Sequence, residues 1–103
     1  MITKITNNNF NEVQESKLAV VDFSAVWCNP CKMLEPVMEE LATEFEGQVR
    51  FFNADVDSNM ELAVKYGISS IPAIYVFKDG EKVGQAIGFQ PKEELKSFVE
   101  AYL

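Results

Sequence analysis

Histidine is missing from this chain and cysteine is nearly so, with two residues in 103. Without imidazole or further thiols, a zinc site would have to be completed by carboxylates, a poor tetrahedral set beside two thiolates. Positive charge is scarce too. Nine Lys and Arg stand against sixteen Asp and Glu, a net charge of −7, and eight of the nine are lysines scattered without a patch. That balance argues against nucleic acid or an anionic membrane as partner. The longest clean apolar run, Ile71 to Phe77, is seven residues, far short of a membrane span. Met1-Ile2-Thr3-Lys4 leads directly into polar sequence with neither an apolar h-region nor a small-residue cleavage site, so a cytoplasmic protein is expected. In that reducing setting a cysteine pair is normally reactive or metal-binding, not a structural staple.

What is present is concentrated in Trp27-Cys28-Asn29-Pro30-Cys31-Lys32, which holds both cysteines where an apolar run ends and an amphipathic pattern begins. A thiol at that junction opens a helix, where unpaired N–H groups and the positive end of the helix dipole favour the thiolate. A second thiol one turn on can close a disulfide with the first and release it again. The pattern points to dithiol–disulfide exchange. A purely structural disulfide is the plain alternative, but so short a loop constrains the unfolded chain by only roughly 2 kcal/mol.

The rest of the chain reads as one alternating unit without linker, repeat or low-complexity tract, and a single domain over 1–103 is expected. It is long enough to bury about two-thirds of its unfolded surface, with eight Phe, three Tyr and one Trp as core material. Ile2 to Ile5 predicts a short strand. Thr6 to Lys17 predicts a helix capped by Thr6 or Asn7, with Phe10, Val13 and the stem of Lys17 on one face. Leu18 to Ser24, almost all apolar, predicts a central strand buried on both faces. From Pro30, Leu34, Val37, Met38, Leu41 and Phe45 mark an amphipathic helix that ends near Gly47, with Pro36 inside it as a source of bending. Val49 to Val56 is a third strand and Asn59 to Tyr66 a short helix closed by Gly67. Ile71 to Phe77 and Lys82 to Gly88 flank Lys78-Asp79-Gly80-Glu81, a hairpin signal. Pro91 opens a last helix that buries Leu95, Phe98, Val99 and Tyr102. This order implies an α/β fold, a mixed five-stranded sheet with helices on both faces and the cysteines past the carboxyl end of a central strand.

Val21-Asp22-Phe23, Trp27-Cys28-x-Pro30-Cys31-Lys32, Gly67-Ile68-x-x-Ile71-Pro72, Phe77-Lys78-x-Gly80 and Gly88 together resemble the thioredoxin family from end to end of the chain. A lone C-x-x-C is a weak signal, whereas five ordered signatures at compatible spacings are a strong one. The resemblance implies a thioredoxin fold, reduction of protein disulfides, no bound cofactor beyond the Cys28–Cys31 disulfide, recharging by a thioredoxin reductase of flavin or ferredoxin type, and a monomer.

Individual residues carry the chemistry. Cys28, ahead of the helix, is expected to be the more exposed thiol and the nucleophile, and Cys31, inside the first turn, the resolving thiol. Asp22 is an acid in an apolar strand. Either it faces a wet sheet edge, or burial raises its pKa so that it exchanges the Cys31 proton near neutrality, the role the resemblance implies. Thioredoxins commonly carry a lysine beside this acid, and here the matching residue is Asn53. The resemblance also implies a cis Ile71–Pro72 bond packed against the cysteines, with the Ile71 backbone free to pair with an extended substrate. Trp27, Pro30, Ile71, Pro72, Gly88 and Phe89 would then form an apolar docking surface, although Trp27 also reads as an ordinary core aromatic and Gly88 as strand punctuation.

Asn29 stands where thioredoxins usually have glycine, at the expected N-cap, where its side chain could draw an amide away from Cys28 or donate to the thiolate. No histidine lies between the cysteines, so the imidazolium that favours the thiolate in strong oxidants is missing. That supports a reductant. A specialised oxidoreductase of shifted potential and a binding module with incidental thiols remain as alternatives.

Overall fold

Alternating apolar residues and well-placed turn residues assemble a sheet that carries two helices on each face. The computed structural model describes all 103 residues. The elements run β1 (Ile2–Lys4), α1 (Asn11–Glu15), β2 (Leu18–Ser24), α2 (Asn29–Glu44), β3 (Arg50–Asp55), α3 (Met60–Lys65), β4 (Ala73–Lys78), β5 (Glu81–Ile87) and α4 (Lys92–Glu100). The sheet order is β1-β3-β2-β4-β5. β3 is parallel to both β1 and β2, and β4 is antiparallel to β2 and β5. β2 therefore lies in the middle, hydrogen-bonded on both edges, which is why its sequence is apolar almost throughout.

Side chains leave a strand alternately to its two faces. Ala19, Val21 and Phe23 of β2 pack with Phe10, Val13 and Leu62 beneath α1 and α3. Leu18 and Val20 pack with Leu34, Met38, Leu41, Leu95 and Val99 beneath α2 and α4. Asp22 shares the parity of Leu18 and Val20, so it faces α2, the helix that opens at the cysteines. The hairpin turn carries positive φ at both Asp79 (51°) and Gly80 (84°), the combination a two-residue turn between twisted strands requires. At Gly84 a Cβ would lie 1.9 Å from Tyr102 Oη, so glycine there lets the end of α4 settle on β5.

The first helix is shorter than its sequence pattern predicts. Asn7 and Asn8 take left-handed φ of 53° and 56°, and the helix starts only at Asn11. Neither Thr6 nor Asn7 caps it, and Ser16 is buried while Lys17 is exposed. The reason is tertiary. Asn59, buried in the β3–α3 connection, accepts from Asn8 N–H (2.9 Å) and donates to the carbonyls of Ile5 and Asp55 (both 3.0 Å), while Asn8 Oδ1 accepts from Leu62 N–H (3.1 Å). These bonds hold residues 6–10 in a turn where local propensity favours a longer helix. β4 also begins at Ala73 rather than Ile71, which leaves Ile71 and Pro72 as the approach to the strand.

Candidate active site

Cys28 and Cys31 meet at the amino end of α2. Cys28 is the N-cap residue in extended conformation, and its Sγ accepts a hydrogen bond from Cys31 N–H at 3.2 Å. Asn29 is not the cap: it is already helical, so the capping acceptor is the sulfur itself. Pro30 occupies the first turn, where its missing N–H costs nothing. The cysteines are joined as a disulfide with their Cα atoms 5.2 Å apart. Their burial differs less than the sequence suggests: Cys28 is 6% exposed and Cys31 2%. With Ala25 they form a small apolar cluster against which Val56 and Ile71 pack.

Around the pair, Trp27 is 66% exposed, so the core reading of this residue does not hold. Its Nε1–H donates to Asp57 Oδ2 at 2.8 Å, a tether that joins residues thirty positions apart and that no local pattern announces. Pro30 is exposed, Ile71 and Gly88 are half-buried, and Phe89 is exposed. Pro72 is buried. The Ile71–Pro72 bond is cis. Pro72 carbonyl accepts from Gly88 N–H at 2.7 Å, which ties the start of β4 to the end of β5, whereas neither main-chain group of Ile71 is engaged in a hydrogen bond within the chain.

Asp22 is 2% exposed, on a central strand and not at a wet edge. Its partner in register on β3 is Asn53. Burial lifts the carboxyl from its ordinary 3.8 to about 7, against a lowering by Asn53, and the negative charge of Glu35 adds to the rise. The lowering by Asn53 is slight on geometric grounds. Its amide nitrogen gives its hydrogen bonds to the Asp22 main-chain carbonyl (3.2 Å) and to Ser24 Oγ (2.9 Å), and Asp22 Oδ1 is left without a partner. The acid faces a cavity of about 200 Å³ that Glu35 and Met38 also line. Cys31, Glu35 and Met38 follow at i, i+4 and i+7, one stripe of α2, so the inner thiol heads the stripe that looks onto the acid.

The chain that carries this site matches known proteins over nearly its whole length. The thioredoxin family model matches residues 1–101. The chain belongs to the thioredoxin family. Thioredoxins of Staphylococcus saprophyticus and Staphylococcus aureus are each 47% identical to it over 102 residues, 99% of this chain and 98% of theirs. A solved thioredoxin point mutant from Halobacterium salinarum superposes with a TM-score of 0.88 at 35% identity, covering 97% of this chain and 88% of that one. The thioredoxin fold follows, and with it the activity: the chain is a thiol–disulfide oxidoreductase that acts as a protein disulfide reductase. Thioredoxins hold their redox centre in the protein itself, without a cofactor, and act with protein disulfides as substrates and a reductase as electron donor. No group of three or more His, Cys, Asp or Glu is placed to hold a metal ion, and no helix is long and apolar enough to cross a membrane.

Proposed function

We propose that Cys28 is the attacking thiol of this reductase, Cys31 the resolving thiol and Asp22 the proton acceptor for Cys31. The single observation that carries the assignment is the cap: Cys28 Sγ sits at the helix N-terminus and accepts the Cys31 N–H. That environment favours negative charge on sulfur and lowers a thiol pKa. In the dithiol form the Cys28 thiolate attacks a substrate disulfide, a mixed disulfide forms, and the first substrate sulfur leaves as a thiolate that takes its proton from solvent. Cys31 then gives its proton to the Asp22 carboxylate, attacks Cys28 Sγ and expels the second substrate sulfur. Two electrons pass to the substrate and the Cys28–Cys31 disulfide is restored. With its carboxyl near 7, Asp22 can take that proton and return it near neutral pH.

Trp27, Pro30, Ile71, Pro72 and Gly88 form the docking surface. The unengaged N–H and C=O of Ile71 pair with an extended substrate segment, and the exposed rings beside it cover its side chains. A flavin-dependent NADPH–thioredoxin reductase or a ferredoxin-linked one returns electrons to the disulfide, and the protein acts as a single-domain monomer in the cytoplasm. A trapping experiment with insulin as the probe tests the division of labour. Cys31→Ser accumulates a covalent mixed disulfide through Cys28, whereas Cys28→Ser forms none and has no reductase activity. Equal trapping by both variants, or trapping only by Cys28→Ser, reverses the assignment.

A further inference from the structure

The cavity in front of Asp22 has two further carboxylates, Glu35 and Glu39, that the steps above leave unused. Its walls come from Ile2 and Lys4 of β1, Asp22 of β2, Glu35, Met38 and Glu39 of α2, and Asn53 of β3. On the remaining side, β4 sets apolar Ile74 beside Asp22. The inner end is thus a buried carboxyl with one oxygen unpartnered, and the rim carries three exposed charges, Lys4, Glu35 and Glu39. The volume of about 200 Å³ accommodates several waters. Glu35 also lines an adjoining cavity of about 290 Å³ with Lys4, Ser24, Asn53 and Asp55, so this residue borders both spaces. Where thioredoxins commonly set a lysine next to the acid, this chain has neutral Asn53, whose amide is committed elsewhere. The acid therefore faces a like charge with no cation beside it on the neighbouring strand. Of the rim groups, Glu35 carries a charge that opposes ionisation of Asp22.

We propose that Glu35 is a positioning residue for disulfide exchange: across this cavity its carboxylate opposes a second negative charge on Asp22, and so sets the pH above which Asp22 can accept the Cys31 proton. Glu35 forms and breaks no bond. The proton passes from Cys31 Sγ to the Asp22 carboxylate, and the charge on Glu35 decides how readily that carboxylate exists. The inference rests on the reading of Asp22 as acceptor.

Carbon-13 NMR titration of the aspartate carboxyls in the reduced protein reads the coupling directly, and single-turnover reduction of insulin across the same pH range reads its consequence. In Glu35→Gln the Asp22 midpoint falls by roughly half a pH unit, and in Glu35→Lys it falls further. Glu39→Gln, on the same rim, leaves it in place. The acid limb of the rate profile moves with the midpoint, so exchange at pH 6 is roughly three-fold faster in Glu35→Gln. Salt at 1 M moves the wild-type midpoint in the same direction and barely moves that of Glu35→Gln. An Asp22 midpoint unchanged in Glu35→Gln overturns the coupling, whatever Asp22 does in the reaction. A midpoint that moves while the rate profile stays put leaves the coupling standing and removes Asp22 from the proton transfer, which overturns the part assigned to Glu35 in exchange.

Discussion

Ala19, Val21 and Phe23 leave β2 on one side, Leu18, Val20 and Asp22 on the other, and the two sides of the sheet differ accordingly. Under α1 and α3 the core is rich in aromatic rings. Phe10 and Tyr66 each meet Phe77 edge-on, at 5.1 and 5.2 Å between ring centres, and Phe23 meets Tyr75 at 5.4 Å. The hydroxyl of buried Tyr75 in this cluster donates to the Tyr66 carbonyl at 3.0 Å. Under α2 and α4 the core is largely aliphatic, and beside the middle of α2 the packing opens into a cavity that the acid lines. One step of strand parity separates an aromatic face from the face that carries the buried acid and its cavity. The buried acid and the aromatic packing lie on opposite faces, so stability and chemistry are expected to be separable.

The comparison breaks most visibly at Phe23. Phe23→Ala removes a fully buried ring from the aromatic face and is expected to destabilise the fold by about 3–5 kcal/mol, measured by urea denaturation, while the folded fraction keeps its rate of insulin reduction. A large loss of rate in protein that is still folded contradicts the separation. One residue earlier, on the cavity face, Asp22→Asn is expected to slow single-turnover reduction at pH 7 by roughly ten-fold or more while the protein stays folded. Full activity in that variant returns Asp22 to a purely structural part. The smallest effect belongs at the rim. Trp27→Phe keeps an exposed ring but loses the hydrogen bond to Asp57, and the KM for insulin is expected to rise roughly two-fold at unchanged kcat, since a single exposed hydrogen bond contributes little. A fall in kcat instead places Trp27 in the chemistry rather than in docking.

Much of this division was legible in the sequence because it rests on local pattern. The apolar run of β2, the stripe of α2, the Asp79-Gly80 turn and the C-x-x-C spacing all lie within short windows, and an acid inside an apolar strand stands out on inspection. The family resemblance led to the cis Ile71–Pro72 bond, which spacing alone does not indicate. What stayed hidden depends on contacts distant in sequence. The delayed start of α1 comes from Asn59, some fifty residues away, and the Trp27–Asp57 tether spans thirty. Asn29 departs from the expected cap for a different reason: asparagine is the better capping residue by type, but the chain enters the helix one residue earlier and the acceptor is a sulfur. Nor do the linear positions of Asp22 and Glu35 reveal that they share a cavity; that needs the crossing of α2 over β2.

The central claim, that Asp22 is buried at a cost to stability for the sake of proton transfer, is tested most directly by the pH dependence of the stability gap between Asp22→Asn and wild type. The folded-state pKa of about 7 stands above the ordinary 3.8, so ionising the group in the folded protein opposes folding. That cost is absent below about pH 4, grows as pH rises toward 7 and is constant above it, reaching roughly 4 kcal/mol. Urea denaturation of both proteins in oxidised form from pH 3 to 8 is expected to show Asp22→Asn gaining on wild type through that window and levelling off beyond it, with the variant the more stable at neutral pH. A gap that does not change with pH, or a variant that loses stability relative to wild type as pH rises, contradicts the account.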